Sequence, residues 1–92
     1  MAYRLVANLK DGAYLVISLT PEMIKNPNKA CEVTHTILMP DGRDGGFHVL
    51  RKSLNELIAI IEKPGYKWFI DEYNEATEAW CERKRYADGL FR

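Results

Sequence analysis

Hydrophobic and polar residues alternate in two stretches of the first fifty positions, residues 2–10 and 31–39, which predicts β-strands. In residues 2–10 the apolar positions on one face are Tyr3, Leu5, Ala7 and Leu9. Asp11-Gly12 follows, a dipeptide typical of a tight hairpin because both central residues need a positive φ. The next run, residues 13–19, is apolar on both faces apart from Ser18. The pattern therefore predicts a hairpin whose second strand lies in the interior of a sheet.

Two more strands are predicted after a short helical turn. Thr20 as N-cap and Pro21 at the first helical position favour one turn of helix. Residues 31–39 then alternate again and are rich in β-branched side chains, as is typical of a third strand. The glycine-rich segment 40–46 predicts a loop, and residues 47–50 a short fourth strand.

The remaining sequence predicts two helices. Ser53 and Glu56 form a capping box, and the apolar positions that follow at helical spacing are Leu54, Leu57, Ile58 and Ile61. A second helix is expected from about Tyr66 to Arg85, with one apolar face made of Phe69, Tyr73, Ala76 and Trp80. We therefore expect a single α+β domain over residues 1–92, with a four-stranded antiparallel sheet followed by two helices (ββββαα) packed on one face.

Composition narrows the functional classes. Thirteen Lys and Arg balance thirteen Asp and Glu in the 92 residues, which is unlike the basic surplus of duplex-DNA-binding proteins. No apolar run approaches the roughly 20 residues that span a bilayer, and the first residues lack the pattern of a signal peptide. We expect a cytoplasmic protein in which Cys31 and Cys81 are free thiols.

No arrangement of residues predicts catalysis or a cofactor. His35 and His48 are expected to be neighbours across the third and fourth strands, but no metal-binding spacing accompanies them. Cys31 and His35 would lie roughly 13 Å apart along one strand, too far for a nucleophile and its base. The sequence thus predicts a protein that is not an enzyme and that binds no metal or cofactor.

Three features could bind a partner. The loop of residues 41–46 has exposed charges at Asp41, Arg43 and Asp44 and is a candidate recognition loop. Tyr66 and Trp68 could be interface anchors on the last helix, unless the preceding helix covers them. An acidic stripe on the last helix could imitate nucleic-acid phosphates or could be simply its solvated face; its members are Asp71, Glu75, Glu78 and Glu82.

Two likenesses frame the functional expectation. The segment Gly45-Gly46-Phe47-His48-Val49-Leu50, followed by an amphipathic helix, resembles the end of the dimeric single-stranded-DNA-binding coactivator fold, which has four strands and one helix per chain. This chain departs from that fold by its second long helix and by lacking a basic, aromatic strand surface. In size and element order, the whole chain resembles small phage-encoded inhibitors, including some anti-CRISPR proteins.

The leading hypothesis is thus a non-enzymatic protein-binding module, a small phage or mobile-element inhibitor of a larger host complex. The alternative is a dimeric single-stranded nucleic-acid-binding protein. In that alternative Tyr3 or Tyr14 would stack on bases, and the cations facing the backbone would be Arg4, Lys10, Arg43, Arg51 and Lys52. A homodimer through helix faces or an edge strand is compatible with either hypothesis.

Overall fold

The computed structural model describes residues 2–74 and 79–85, the latter range and residue 74 by their backbone alone. Its strands are β1 (Tyr3–Asn8), β2 (Tyr14–Leu19), β3 (Cys31–Leu38), β4 (Asp44–Lys52), β5 (Trp68–Asn74) and β6 (Ala79–Arg85). Its helices are α1 (Pro21–Lys25) and α2 (Leu54–Glu62), and a single 3-10 turn, Lys10–Gly12, joins β1 to β2.

All strand pairs are antiparallel, and the strand order across the sheet is β4-β3-β2-β1-β5-β6. The first four strands follow one another as a meander, so β4 lies at one edge. The chain then returns through α2, which connects β4 to β5 on the far side of β1. A helix that makes this crossing must lie over one face of the sheet, and this explains its apolar side.

The hydrophobic core lies between that face and the two helices. Leu5 is fully buried at the centre of the sheet, opposite Ile17 of β2 and Ile70 of β5. From the helices, the buried side chains in the same cluster are Met23, Leu54, Leu57, Ile58 and Ile61. Burying each large aliphatic side chain stabilises the fold by about 1.5–3 kcal/mol, so α2 contributes mainly through this packing.

The predicted ββββαα architecture is wrong. The segment expected to form a long last helix over residues 66–85 contains strands β5 and β6, and α2 is the one described helix longer than a single turn or so. Trp68 and Ile70 point into the core and pair with β1, whose second edge would otherwise leave its backbone groups without partners. Aromatic and β-branched residues in the sequence Trp-Phe-Ile also suit a pleated strand.

The β1–β2 hairpin is confirmed, but its turn differs from the expected two-residue form. Asn8 pairs with Tyr14, and the Leu9 amide donates to the Ala13 carbonyl at 2.9 Å, which leaves a three-residue loop. Asp11 (φ 62°) and Gly12 (φ 78°) both have the positive φ that the sequence implied.

The fourth strand is longer than predicted. β4 begins at Asp44 rather than Phe47, because Gly45 and Gly46 form a bulge instead of continuing the loop. Gly46 has φ 85°, and its carbonyl accepts a hydrogen bond from the Thr36 hydroxyl at 2.7 Å. Such a bulge lets one extra residue enter the strand without ending the pairing.

Both helix starts are confirmed. The Thr20 hydroxyl accepts a hydrogen bond from the Met23 amide at 3.3 Å. At α2 the Ser53 hydroxyl accepts from the Glu56 amide at 3.2 Å, and the Glu56 carboxylate accepts from the Ser53 amide at 3.1 Å. The bond from the Ser53 amide, and next to it the Ser53 side chain, lower the pKa of Glu56 below its usual value, because both favour the charged carboxylate.

Candidate interaction surface

The sheet face opposite α1 and α2 is called the open face below, because no described helix lies on it. Side chains alternate across a strand, so the even-numbered residues of β1, β2 and β3 point to this face, together with the odd-numbered residues of β5 and of β4 from Phe47 onward. Four large apolar side chains on it are exposed: Tyr14 (45%), Leu38 (37%), Phe47 (70%) and Val49 (64%).

A shallow depression of about 300 Å³ lies in the middle of the open face. Its lining residues are Arg4, Val6, Tyr14, Val16, Leu38 and Phe69. The register explains this grouping, since Val6 lies opposite both Val16 and Phe69, and Tyr14 lies opposite Leu38. The depression is therefore a mostly apolar surface with one guanidinium and one phenol hydroxyl at its border.

The guanidinium of Arg4 is held in place by Asp71 on the neighbouring strand. The Arg4 Nε and Nη2 atoms lie 2.9 Å and 2.8 Å from Asp71 Oδ2. Asp71 is buried while a third of the Arg4 side chain remains exposed. An aspartate removed from water needs such a partner, so this pair fixes the polar border of the depression and is not a free anion-binding group.

On the opposite side of the sheet, α2 leaves part of the face uncovered. A groove of about 160 Å³ lies between α2 and the β2–β4 side of the sheet, and its residues are Leu15, Ile17, His35, Leu50, Lys52, Leu57, Ile60 and Ile61. His35 and His48 are paired neighbours across β3 and β4, as expected, with ring centroids 5.3 Å apart. Among the described residues no group of three potential metal ligands comes together.

The predicted recognition loop is exposed but internally bonded. Asp41 accepts hydrogen bonds from the Arg43 backbone amide at 3.0 Å and from its guanidinium at 2.6 Å. The carboxylate of Asp44, the first residue of β4, accepts from the Gly46 amide at 3.1 Å. The three charged residues thus shape the loop and its bulge; their role in binding stays a prediction.

The predicted aromatic anchor is not on the surface. Trp68 is 2% exposed, lies in the core and donates a hydrogen bond from Nε1 to Glu62 Oε2 at 3.2 Å. Tyr66, two residues earlier, is half-buried and packs against the same core. Trp68 therefore stabilises the fold and is not available as an interface anchor.

The predicted acidic stripe does not form on a helix. Asp71 is buried in the ion pair described above, and Glu82 lies opposite it in the backbone register of β6. Glu75 and Glu78 lie outside the described residues. The helical spacing that suggested phosphate mimicry is therefore absent where the chain is described.

The residues expected to bind single-stranded nucleic acid are divided between the two faces. Tyr14, Arg4 and Arg51 belong to the open face, whereas Tyr3 and Lys52 belong to the face that carries the helices. Lys10 and Arg43 lie in the two loops at one end of the sheet. No single continuous basic surface unites them.

Cys31 is a free thiol. Strands β3 and β6 are separated by β2, β1 and β5, which places four inter-strand spacings, roughly 19 Å, between them. A disulfide needs Cα atoms within about 7 Å, so the strands that contain Cys31 and Cys81 do not bring these residues into bonding range.

Sequence reasoning missed the importance of Leu38, Phe47 and Val49. The sequence signal was present, because the fourth strand has apolar side chains on both faces: Phe47 and Val49 on one face and Leu50 on the other. The structure places this strand at an edge of the sheet. Such a pattern is typical of a strand that is covered on both sides. No described element covers the face that carries Phe47 and Val49.

No family model, curated protein or solved structure matches this chain. No helix in the described ranges is long and apolar enough to cross a membrane. The geometry of the sheet faces therefore carries the functional argument.

Proposed function

We propose that this chain is a protein-binding module without catalytic activity, which binds a partner protein through the open face of its sheet. The observation that carries the proposal is the exposure of four large apolar side chains on that face, at Tyr14, Leu38, Phe47 and Val49. Contiguous apolar patches of this kind on small proteins commonly mark protein interfaces.

The composition of the face favours a protein over a charged ligand. Its central depression is mostly apolar, and its guanidinium is already bonded to Asp71. The face combines the aromatic side chains of Tyr14 and Phe47 with Arg4, and aromatic residues and arginine are enriched at protein interfaces. A partner can bury only the fraction of each side chain that is still exposed, so each contributes less than the roughly 1.5–3 kcal/mol of complete burial.

We further propose that the partner is a larger host complex and that the chain works in the cytoplasm as a small phage or mobile-element inhibitor of the anti-CRISPR kind. The support is the size of the chain, its mixed charge and a binding face formed by a sheet rather than by a catalytic cleft. A module of this sort inhibits by covering a surface that its target needs.

The experiment compares the wild-type chain with two variants as affinity baits in a lysate of the source organism. The first variant carries Tyr14→Ser and Leu38→Ser, two neighbours on the open face. The control carries Ile60→Ser, which removes an exposed apolar side chain from α2 instead. Circular dichroism shows whether each bait is folded.

We expect a protein to be recovered in stoichiometric amount with the wild type and with Ile60→Ser, and to be lost with the double variant. Recovery of no such protein contradicts the proposal. Equal recovery with all three baits contradicts the assignment of the open face.

A single-stranded nucleic-acid-binding protein is the second candidate, favoured by the exposed aromatic rings of Tyr14 and Phe47 on one sheet face. It predicts that a short mixed single-stranded oligonucleotide binds at low salt and dissociates as salt is raised. Absence of binding at low salt removes this candidate and leaves the protein-binding proposal in place.

A further inference from the structure

The outer edge of β4 is a row of backbone groups that no described strand pairs with, since β4 is first in the strand order. The Leu9 amide bonds to Ala13, so odd-numbered residues of β1 bond to β2. Antiparallel strands bond alternately to their two neighbours. Followed from β1 through the registers of β2, β3 and β4, this alternation turns the N–H and C=O groups of three residues away from the sheet: Phe47, Val49 and Arg51.

No described element covers the centre of this edge, whereas each of its two ends carries a feature that disfavours strand pairing. At one end Gly45 and Gly46 form a bulge, and at the other Arg51 and Lys52 carry positive charge. Bulges and charges of this kind are how proteins prevent unwanted strand pairing. Between them lies a window of four residues, 47–50, in which Phe47 and Val49 are the most exposed of the large apolar side chains.

We propose that two copies of this chain pair through this edge, β4 against β4, in antiparallel orientation about a two-fold axis at Val49. In this register Val49 lies opposite Val49 of the partner subunit, and Phe47 lies opposite Arg51 of the partner subunit. Three residue pairs then meet through their outward backbone groups. Since each such pair exchanges two hydrogen bonds, the seam contains about six.

The side chains select this register among the alternatives. It places each Phe47 ring beside a guanidinium on the open face, a favourable cation–π arrangement. An axis at Arg51 would set two guanidinium groups opposite each other, which destabilises a strand pair. An axis at His48 would move Arg51 opposite Gly45 in the bulge, leaving two regular hydrogen-bonded pairs instead of three.

The occupant is a second copy because the edge is complementary to itself. When two β4 strands pair in this register, the aromatic Phe47 meets the cationic Arg51 at each end of the seam, and Val49 meets the identical valine at its centre. The net charge of zero means that two copies do not repel each other at long range. A two-fold axis of this kind is perpendicular to the sheet, so the two open faces join into one surface with Phe47 and Val49 of both copies at its centre.

The first test measures mass in solution by analytical ultracentrifugation from about 1 µM to about 500 µM, a range that covers small interfaces. We expect the wild type to dimerise within it. Val49→Pro removes an outward N–H but no bond to β3, so it should stay folded and raise the dimer Kd at least about tenfold. Val49→Thr, which keeps the N–H and the β-branch, is the matched control and should still dimerise.

A wild type that is monomeric throughout this range overturns the proposal, as does a dimer that Val49→Pro leaves unchanged. A second test does not depend on the proline variant being folded. In a chain with Cys31→Ser and Cys81→Ser, Val49→Cys should form an intermolecular disulfide on oxidation, because its two copies face each other at about 5.5 Å between Cα atoms. Phe47→Cys should not, and equal cross-linking of both overturns the register.

The proposal is independent of the proposed function. The dimer is measured on the purified chain alone, whereas partner binding is measured with Tyr14 and Leu38 variants that leave the β4 edge intact. Failure of one therefore leaves the other to be judged by its own experiment.

Discussion

Replacement of Trp68 by alanine tests whether the segment after α2 is a buried strand or an exposed helix. Trp68 is 2% exposed, lies opposite Ala7 of β1 and donates a hydrogen bond to Glu62. Truncation of a buried tryptophan costs about 3–5 kcal/mol. A chain of this length is expected to have a total free energy of unfolding of roughly 5–14 kcal/mol, so Trp68→Ala should remove at least about a fifth of it.

The assay is urea unfolding followed by far-ultraviolet circular dichroism, which does not depend on the fluorescence of the substituted tryptophan. Phe47→Ala is the control, because Phe47 is 70% exposed at the sheet edge and its truncation should change the free energy of unfolding by no more than about 0.5 kcal/mol. Trp68→Phe should fall in between, since it keeps a ring but loses the hydrogen bond. A Trp68→Ala variant as stable as Phe47→Ala would refute the buried strand.

Two further predictions concern α2 and β4. Ser53→Ala should lower the free energy of unfolding by about 1 kcal/mol near pH 7 by removing the cap. Ser53 lowers the folded-state pKa of Glu56. The stability that comes from this interaction with the ionised carboxylate is therefore fully present above the ordinary glutamate pKa, and it is lost as the pH falls through the lowered folded-state pKa. Gly46→Ala should cost about 1–2 kcal/mol because Gly46 has φ 85°, whereas Gly45→Ala should change stability by less than about 0.5 kcal/mol.

These predictions are checked by urea unfolding with matched pairs of proteins. For the cap, wild type and Ser53→Ala are compared near pH 7 and near pH 3, and a difference that grows on acidification would contradict the pKa argument. For the bulge, equal stability of the two glycine variants would show that the positive φ at Gly46 is not required.

Local signals in the sequence were sufficient for the parts of the fold that local contacts determine. The capping box of Ser53 and Glu56, the N-cap at Thr20 and the positive φ at Asp11 and Gly12 each depend on residues within four positions of one another. The short-range pattern of strand β1 likewise placed Leu5 on the buried face. Such features do not depend on where the rest of the chain lies.

The last segment shows where local signals fail. Phe69 and Tyr73 are four positions apart, a spacing that places two residues on one face of either a helix or a strand. A distant element determines that this segment is a strand. β5 pairs with the edge of β1 that β2 does not occupy, and it supplies hydrogen-bond partners for the backbone groups there. No short window of the sequence contains both strands, so the strand propensity of Trp-Phe-Ile alone did not outweigh the helical spacing in residues 66–85.

The open face was missed for a related reason. Alternation in β4 shows that Phe47 and Val49 share a face, but it does not show whether anything covers that face. Only the strand order, which places β4 at the edge, and the position of both helices on the opposite side reveal the exposure. The loop at Asp41 to Asp44 was located by composition alone, since charge and glycine content require no tertiary information.

The most direct test of the central claim is hydrogen–deuterium exchange of the chain with and without the partner recovered by the wild-type bait, at equal chain concentration. If the open face is the binding surface, peptides from β2 (Tyr14–Leu19) and β4 (Asp44–Lys52) become protected in the complex while those from α2 (Leu54–Glu62) do not change. Protection confined to α2 and the groove beside it would contradict the account.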